Sequence, residues 1–182
     1  MPTPPPQIIR RLRWTVAMLR VSMTPSWSLL KTRGGHTGSM PRLLIVHHTP
    51  SPALQEALEA ALSGATDPEI GGVEVVRRPA LSAGAADVLE ADGYLLGTPA
   101  NIGYISGALK HFFDTVYYPC LDATRGRPFA AYVHGNQGVE GAVKAIRDIT
   151  GGLGWRPVAP VLELVGRVDH QACHDLAATL SP

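Results

Sequence analysis

Three short stretches hold the residues that could do chemistry. The first is "HHTPSPAL", His47 to Leu54. Its imidazoles His47 and His48 belong to the side-chain type that moves protons near neutral pH and ligates metals. Thr49 and Ser51 add hydroxyls at a helix start, where backbone N–H groups such as those of Ala53 and Leu54 favour an anion. The second stretch is "GTPANIG", Gly97 to Gly103, with two glycines, a proline and no charge. A solvent loop would carry more charge, so Thr98, Pro99, Ala100, Asn101, Ile102 and Gly103 read as backbone laid against something flat and neutral. The third is "HGNQG", with His134, Gly135, Asn136 and Gly138. His47, His48 and His134 could together hold a hydrolytic metal, but no Asp or Glu stands beside them to complete the site, and no metal is expected. Cys120 and Cys173 lie outside any CxxC and read as buried reduced thiols. Ser106 lacks a nucleophile elbow and reads as a helix cap. No side chain is assigned a catalytic role.

These stretches need elements to position them, and the pattern after Met40 supplies them. "RLLIV" (42–46), "VEVV" (73–76), "GYLLG" (93–97), "FAAYVH" (129–134) and "VLELV" (161–165) are short apolar runs of the kind that form buried parallel strands. Helical spacing runs between them. Ser51 and Pro52 start a helix that places Leu54, Leu58, Ala61 and Leu62 on one face. A short helix spans Ala83–Glu90. A third starts at Ser106 and buries Leu109, Phe112 and Val116. A fourth carries Val139, Val143 and Ile146 and stops at Gly151–Gly152. The last uses Cys173, Leu176, Ala177 and Leu180. Strict alternation predicts an α/β fold: a doubly wound five-stranded parallel sheet, order 2-1-3-4-5, with helices on both faces. Ligands of such sheets bind at the carboxyl ends of the strands, which is where all three stretches fall. Tyr104, Tyr117, Tyr118 and Trp155 read as packing residues, with Tyr104 placed to line a pocket. Lys110 and His111 read as solvent-facing.

Charge is uneven. Residues 1–40 hold Arg10, Arg11, Arg13, Arg20, Lys31 and Arg33 and no acid, whereas the remainder carries an acidic excess within a net charge of +1. A mildly acidic body argues against a nucleic-acid partner. No apolar run is long enough to span a membrane as a helix, and a cytoplasmic location is the expectation. The proline-rich start and glycine-rich end of residues 1–39 read as a disordered or mis-annotated extension, with the domain covering residues 40–182.

An anion site beside an uncharged backbone platform suits flavin mononucleotide (FMN). "GTPANIGYISGALKHFFD" (97–114) resembles the ring-binding segment of NADPH-dependent FMN reductases and quinone reductases of the flavodoxin-like superfamily. That resemblance runs over nearly the whole chain after Met40. It implies that Thr98 to Gly103 offer backbone amides to one side of the ring and His134 to Gly138 to the other. The phosphate would rest on Thr49, Ser51, Ala53 and Leu54. There the sequence departs from the family's S/T-x-T-G-x-T loop: Pro52 replaces the glycine and has no N–H, and Leu54 replaces the last hydroxyl. The resemblance implies an NAD(P)H-dependent oxidoreductase that passes electrons through FMN to a quinone or similar small acceptor. A flavodoxin-type carrier docking on redox partner proteins, and a module that has lost its cofactor, remain open beside it. A homo-oligomer is also open.

Overall fold

Five apolar runs bounded by glycines, prolines and helix caps become the parallel strands of one sheet. A computed structural model describes residues 40–69 and 71–180, so the extension expected over residues 1–39 lies outside the described residues. In chain order the elements are β1 (Arg42–His47), α1 (Pro52–Ala65), β2 (Glu74–Pro79), α2 (Ala85–Glu90), β3 (Gly93–Asn101), β4 (Tyr104–Ile105), α3 (Gly107–Cys120), β5 (Pro128–Gly135), α4 (Glu140–Gly152), β6 (Arg156–Pro157), β7 (Leu162–Val165) and α5 (His170–Ala178). The sheet runs β2-β1-β3-β5-β6, with β7 also on β5 and β4 antiparallel on β3.

The expected order 2-1-3-4-5 holds, with two amendments. The outermost strand is two pieces: β6 pairs with the start of β5 and β7 with its end. Pro160 lies in the break between them, where a missing N–H interrupts a ladder. Strand β3 does not stop at Gly97. It continues to Asn101 and folds back as a hairpin.

Alternation along the strands divides the core in two. Leu44, Val46, Tyr94, Leu96, Phe129 and Ala131 face α2, α3 and α4. Leu43, Ile45, Leu95, Ala130, Tyr132 and Leu164 face α1 and α5. Trp155 belongs to the first core, stacked on Tyr94 at 3.9 Å between centroids. Cys120 and Cys173 are buried and free. Burial pushes both thiols up, Cys173 to about 11, so each stays protonated and unreactive at neutral pH. Tyr118 packs edge-on against Tyr117 yet is 81% exposed, and Tyr104, expected to pack or to line a pocket, is 44% exposed.

In-register pairing sets His47, Gly97, Tyr132 and Leu162 in one row across β1, β3, β5 and β7. A side chain on Gly97 would lie 2.3 Å from the Tyr132 hydroxyl oxygen. That glycine therefore makes room for a core tyrosine. Just beyond this row, three neighbouring strands release three loops on the same edge.

Candidate functional site

The hairpin after Gly97 is the most rigidly built of the three. Ala100 pairs with Ile105 and Asn101 with Tyr104, leaving Ile102 and Gly103 as a two-residue turn. Both have positive φ, 51° and 71°. Two-residue hairpin turns ask for this conformation at both positions because it matches the strand twist. Gly103 adopts it freely, whereas Ile102, β-branched, is strained there at a cost of about 1–3 kcal/mol.

Two contacts hold the hairpin. At its base Thr98 and Ser106 are fully buried. The Ser106 N–H donates to Thr98 Oγ1 at 3.1 Å, and Ser106 Oγ accepts from the Leu109 N–H at 3.2 Å, capping α3. At its tip a side chain on Gly141 would lie 2.0 Å from the Gly103 carbonyl oxygen, so the first turn of α4 rests on the hairpin backbone. The Thr98 hydroxyl is therefore structural. The tip offers something else. A side chain on Gly103 would meet open space, and the Ile102 and Gly103 N–H groups donate to no acceptor among the described residues. Asn101, Ile102, Gly103 and Tyr104 are exposed and uncharged.

The β1 loop is built differently. His47 Nδ1 lies 2.7 Å from Thr49 Oγ1. Ser51 caps α1 by accepting the Leu54 N–H at 3.4 Å, and its carbonyl takes the Gln55 N–H at 3.0 Å. Pro52, at the first helical position, has no N–H. The Leu54 side chain is core, 1% exposed. Of the amides at residues 52–55, that of Ala53 is left free among the described residues.

Sequence reasoning missed a compensating feature. His47 Nε2 and His48 Nδ1 are buried without any hydrogen-bond partner. Burial, then the Arg77 guanidinium and His48, hold the His47 imidazole below its usual range, so it is neutral at pH 7. A neutral imidazole such as His47 has one nitrogen that donates and one that accepts. Orphaned buried polar atoms at a ligand edge are what a missing partner leaves behind.

The β5 loop leans on the hairpin. A side chain on Gly135 would lie 3.2 Å from Ala100 Cβ and 2.9 Å from Val139 Cγ1. His134 Nε2 sits 3.1 Å from the Gly166 carbonyl, which makes it the protonated nitrogen, and Gly166 returns its N–H to Gly135 at 2.9 Å. His134 thus ties the ends of β5 and β7. The amides of Asn136 and Gly138 have no acceptor among the described residues, and Gly138 has φ 64°.

Gathered on one edge are a neutral platform of free amides (Ile102, Gly103, Asn136, Gly138), three β1-loop amides without an acceptor among the described residues (Thr49, Ser51, Ala53) and two orphaned imidazole nitrogens. The donor set fits a flat, uncharged, hydrogen-bonding ring with an anionic appendage. It fits a metal poorly: among the described residues no group of three His, Cys, Asp or Glu could hold one. Two concavities lie elsewhere. One, about 540 Å³, is lined by Phe129, Arg147, Trp155 and Val158; the other lies between α3 and α4 at Lys110, Tyr117 and Ile149. The candidate site is an open edge. Among the described residues no helix is long and apolar enough to cross a membrane.

Known proteins resemble this chain in sequence and in fold. Residues 47–166 match the family of NADPH-dependent FMN reductases. A flavodoxin from Aquifex aeolicus (strain VF5) is 35% identical over 77 residues, which is 42% of this chain and 40% of that protein's length. Among solved structures, an archaeal flavodoxin superposes with TM-score 0.65 at 19% identity, covering 76% of this chain and 95% of its own. A flavodoxin, WrbA-like protein from Agrobacterium tumefaciens, gives 0.61 at 14% identity, covering 78% and 95%. At such identities the likeness is one of fold, and that fold is flavodoxin-like.

Proposed function

This chain belongs to the NADPH-dependent FMN reductase family, and on that premise we propose that it binds FMN and uses NAD(P)H to reduce a quinone or similar small acceptor. The observation that carries the reading is the turn Ile102–Gly103. It is uncharged, braced at both ends, and its two N–H groups donate to no acceptor among the described residues. Bound FMN supplies hydride acceptance from the nicotinamide and onward electron transfer to the acceptor.

The chain's own residues have separate tasks. The amides of Ile102 and Gly103 hold one side of the ring, and those of Asn136 and Gly138 the other. Thr98 and Ser106 fix the hairpin so that these donors are set before the ring arrives, which lowers the ordering cost of binding. The Ala53 amide faces the phosphate at the positive end of α1. His47, neutral, and His48 turn a ring nitrogen each to the ribityl or phosphate oxygens. His134 keeps the β5 loop against β7.

A second reading, an electron carrier docking on partner proteins, is favoured by one observation: Ile102 and Tyr104 expose apolar surface at the platform's tip. One experiment separates them. Titration with FMN, followed by NAD(P)H oxidation with and without a quinone, is expected to give saturable binding and quinone-dependent turnover. Binding without turnover would select the carrier. Absence of binding would leave a flavodoxin-like module without its cofactor.

A further inference from the structure

We propose that Ile102 determines acceptor specificity: its side chain is an apolar knob that receives the face of a flat, apolar acceptor such as a naphthoquinone. This inference rests on the FMN reading and adds the substrate class. Ile102 is fully exposed, yet it occupies a left-handed position, φ 51°. Asn or Gly would satisfy that conformation with less strain and without exposing an aliphatic side chain. Strain combined with exposure is a pattern found at ligand-contacting positions.

The backbone beneath the knob is braced. Gly103 beside it abuts Gly141, and the hairpin base is locked through Thr98 and Ser106. A braced backbone presents the side chain from a fixed position, so no ordering of the turn offsets the contact. Tyr104, half-exposed across the turn, extends the same uncharged surface. The occupant is a small acceptor, since the large apolar side chains exposed on this turn are Ile102 and Tyr104, a contact the size of one ring face.

The test uses the full chain saturated with FMN. One NAD(P)H and one proton reduce one menadione to its hydroquinone. Alternatively, one NAD(P)H gives two electrons to two ferricyanide ions and releases a proton. Menadione offers an apolar face and ferricyanide none. Both Ile102→Asn and Ile102→Gly suit a positive φ, so the turn survives in each. The expected result is that kcat/KM for menadione relative to ferricyanide falls about tenfold in both variants. An unchanged ratio overturns the inference while leaving the FMN reading intact. A wild-type dimer that dissociates in both variants also overturns it, since a second copy would then be the occupant. Failure of the wild type to bind FMN removes the reading beneath it, and the inference with it.

Discussion

The hairpin at residues 98–106 and the loop at residues 47–55 face the same edge but offer a ligand different things. The hairpin spends its side chains on bracing itself and leaves its turn amides free. The β1 loop uses part of its donors on itself: Thr49 Oγ1 pairs with His47, and the Leu54 and Gln55 amides donate to Ser51, which leaves the Thr49, Ser51 and Ala53 amides without an acceptor among the described residues. Pro52 contributes no donor at all. On the proposed reading the hairpin turn holds the neutral ring, and the β1 loop holds the phosphate without the amides of Pro52, Leu54 and Gln55. Four measurements bear on that contrast.

The largest effect falls on the hairpin's brace. Gly141→Ala puts a methyl 2.0 Å from the Gly103 carbonyl oxygen, so α4 and the hairpin must separate. Overpacking of this kind costs about 1–3 kcal/mol. Tm should fall by several degrees, and FMN and riboflavin affinity should fall together because the ring platform has moved. Unchanged flavin affinity at a lowered Tm would detach the platform from binding.

Next is Pro52→Gly, which restores a donor to the β1 loop. A recovered charge-assisted hydrogen bond would tighten FMN by about 1.5–3 kcal/mol. Glycine's added freedom in the unfolded chain would lower folding stability by about 0.4–1 kcal/mol. Riboflavin, lacking the phosphate, should gain nothing in isothermal titration. Equal gains for both would mean that the phosphate lies elsewhere.

Relief of the strained turn is smaller. Ile102→Asn should stabilise the fold by about 1 kcal/mol, raising Tm by about 2–4 °C. A lowered Tm would show that Ile102 packs on something within the chain.

The smallest is a pH effect at His47. Its folded-state pKa lies below the usual 6.5, so the unfolded chain binds the extra proton first. Stability is therefore full above about pH 6.5 and is lost as the pH falls towards the folded pKa. Melting across pH 5 to 8 should show a decline on the acid side that is shallower in His47→Gln. Identical slopes would place the sensitivity in another group.

Much of the fold was legible, because buried parallel strands announce themselves as continuous apolar runs and Ser51–Pro52 and Ser106 are strong helix starts. The hairpin was not, although its signal was present. "ANIG" reads as loop because Ile is a poor turn residue, and only Gly103 declares the positive φ. The split outer strand was hinted at by Pro157 and Pro160, which a continuous ladder would exclude. The site was legible as three loops and an uncharged turn. Which donors stay free was not: Thr98 is removed from it by Ser106, eight residues on, and His47 enters it through burial, both tertiary facts. Exposure of Tyr104 and Tyr118 was likewise invisible to helical or strand spacing.

The central claim is that a braced, neutral turn holds a flavin ring with limited help from the phosphate loop. Side-by-side titration of the full chain with FMN and riboflavin, read by flavin fluorescence, tests it most directly. Both should bind, with FMN favoured about tenfold to a hundredfold, the worth of roughly one charge-assisted hydrogen bond. Binding of neither, or of FMN alone with riboflavin weaker by many thousandfold, would contradict the account.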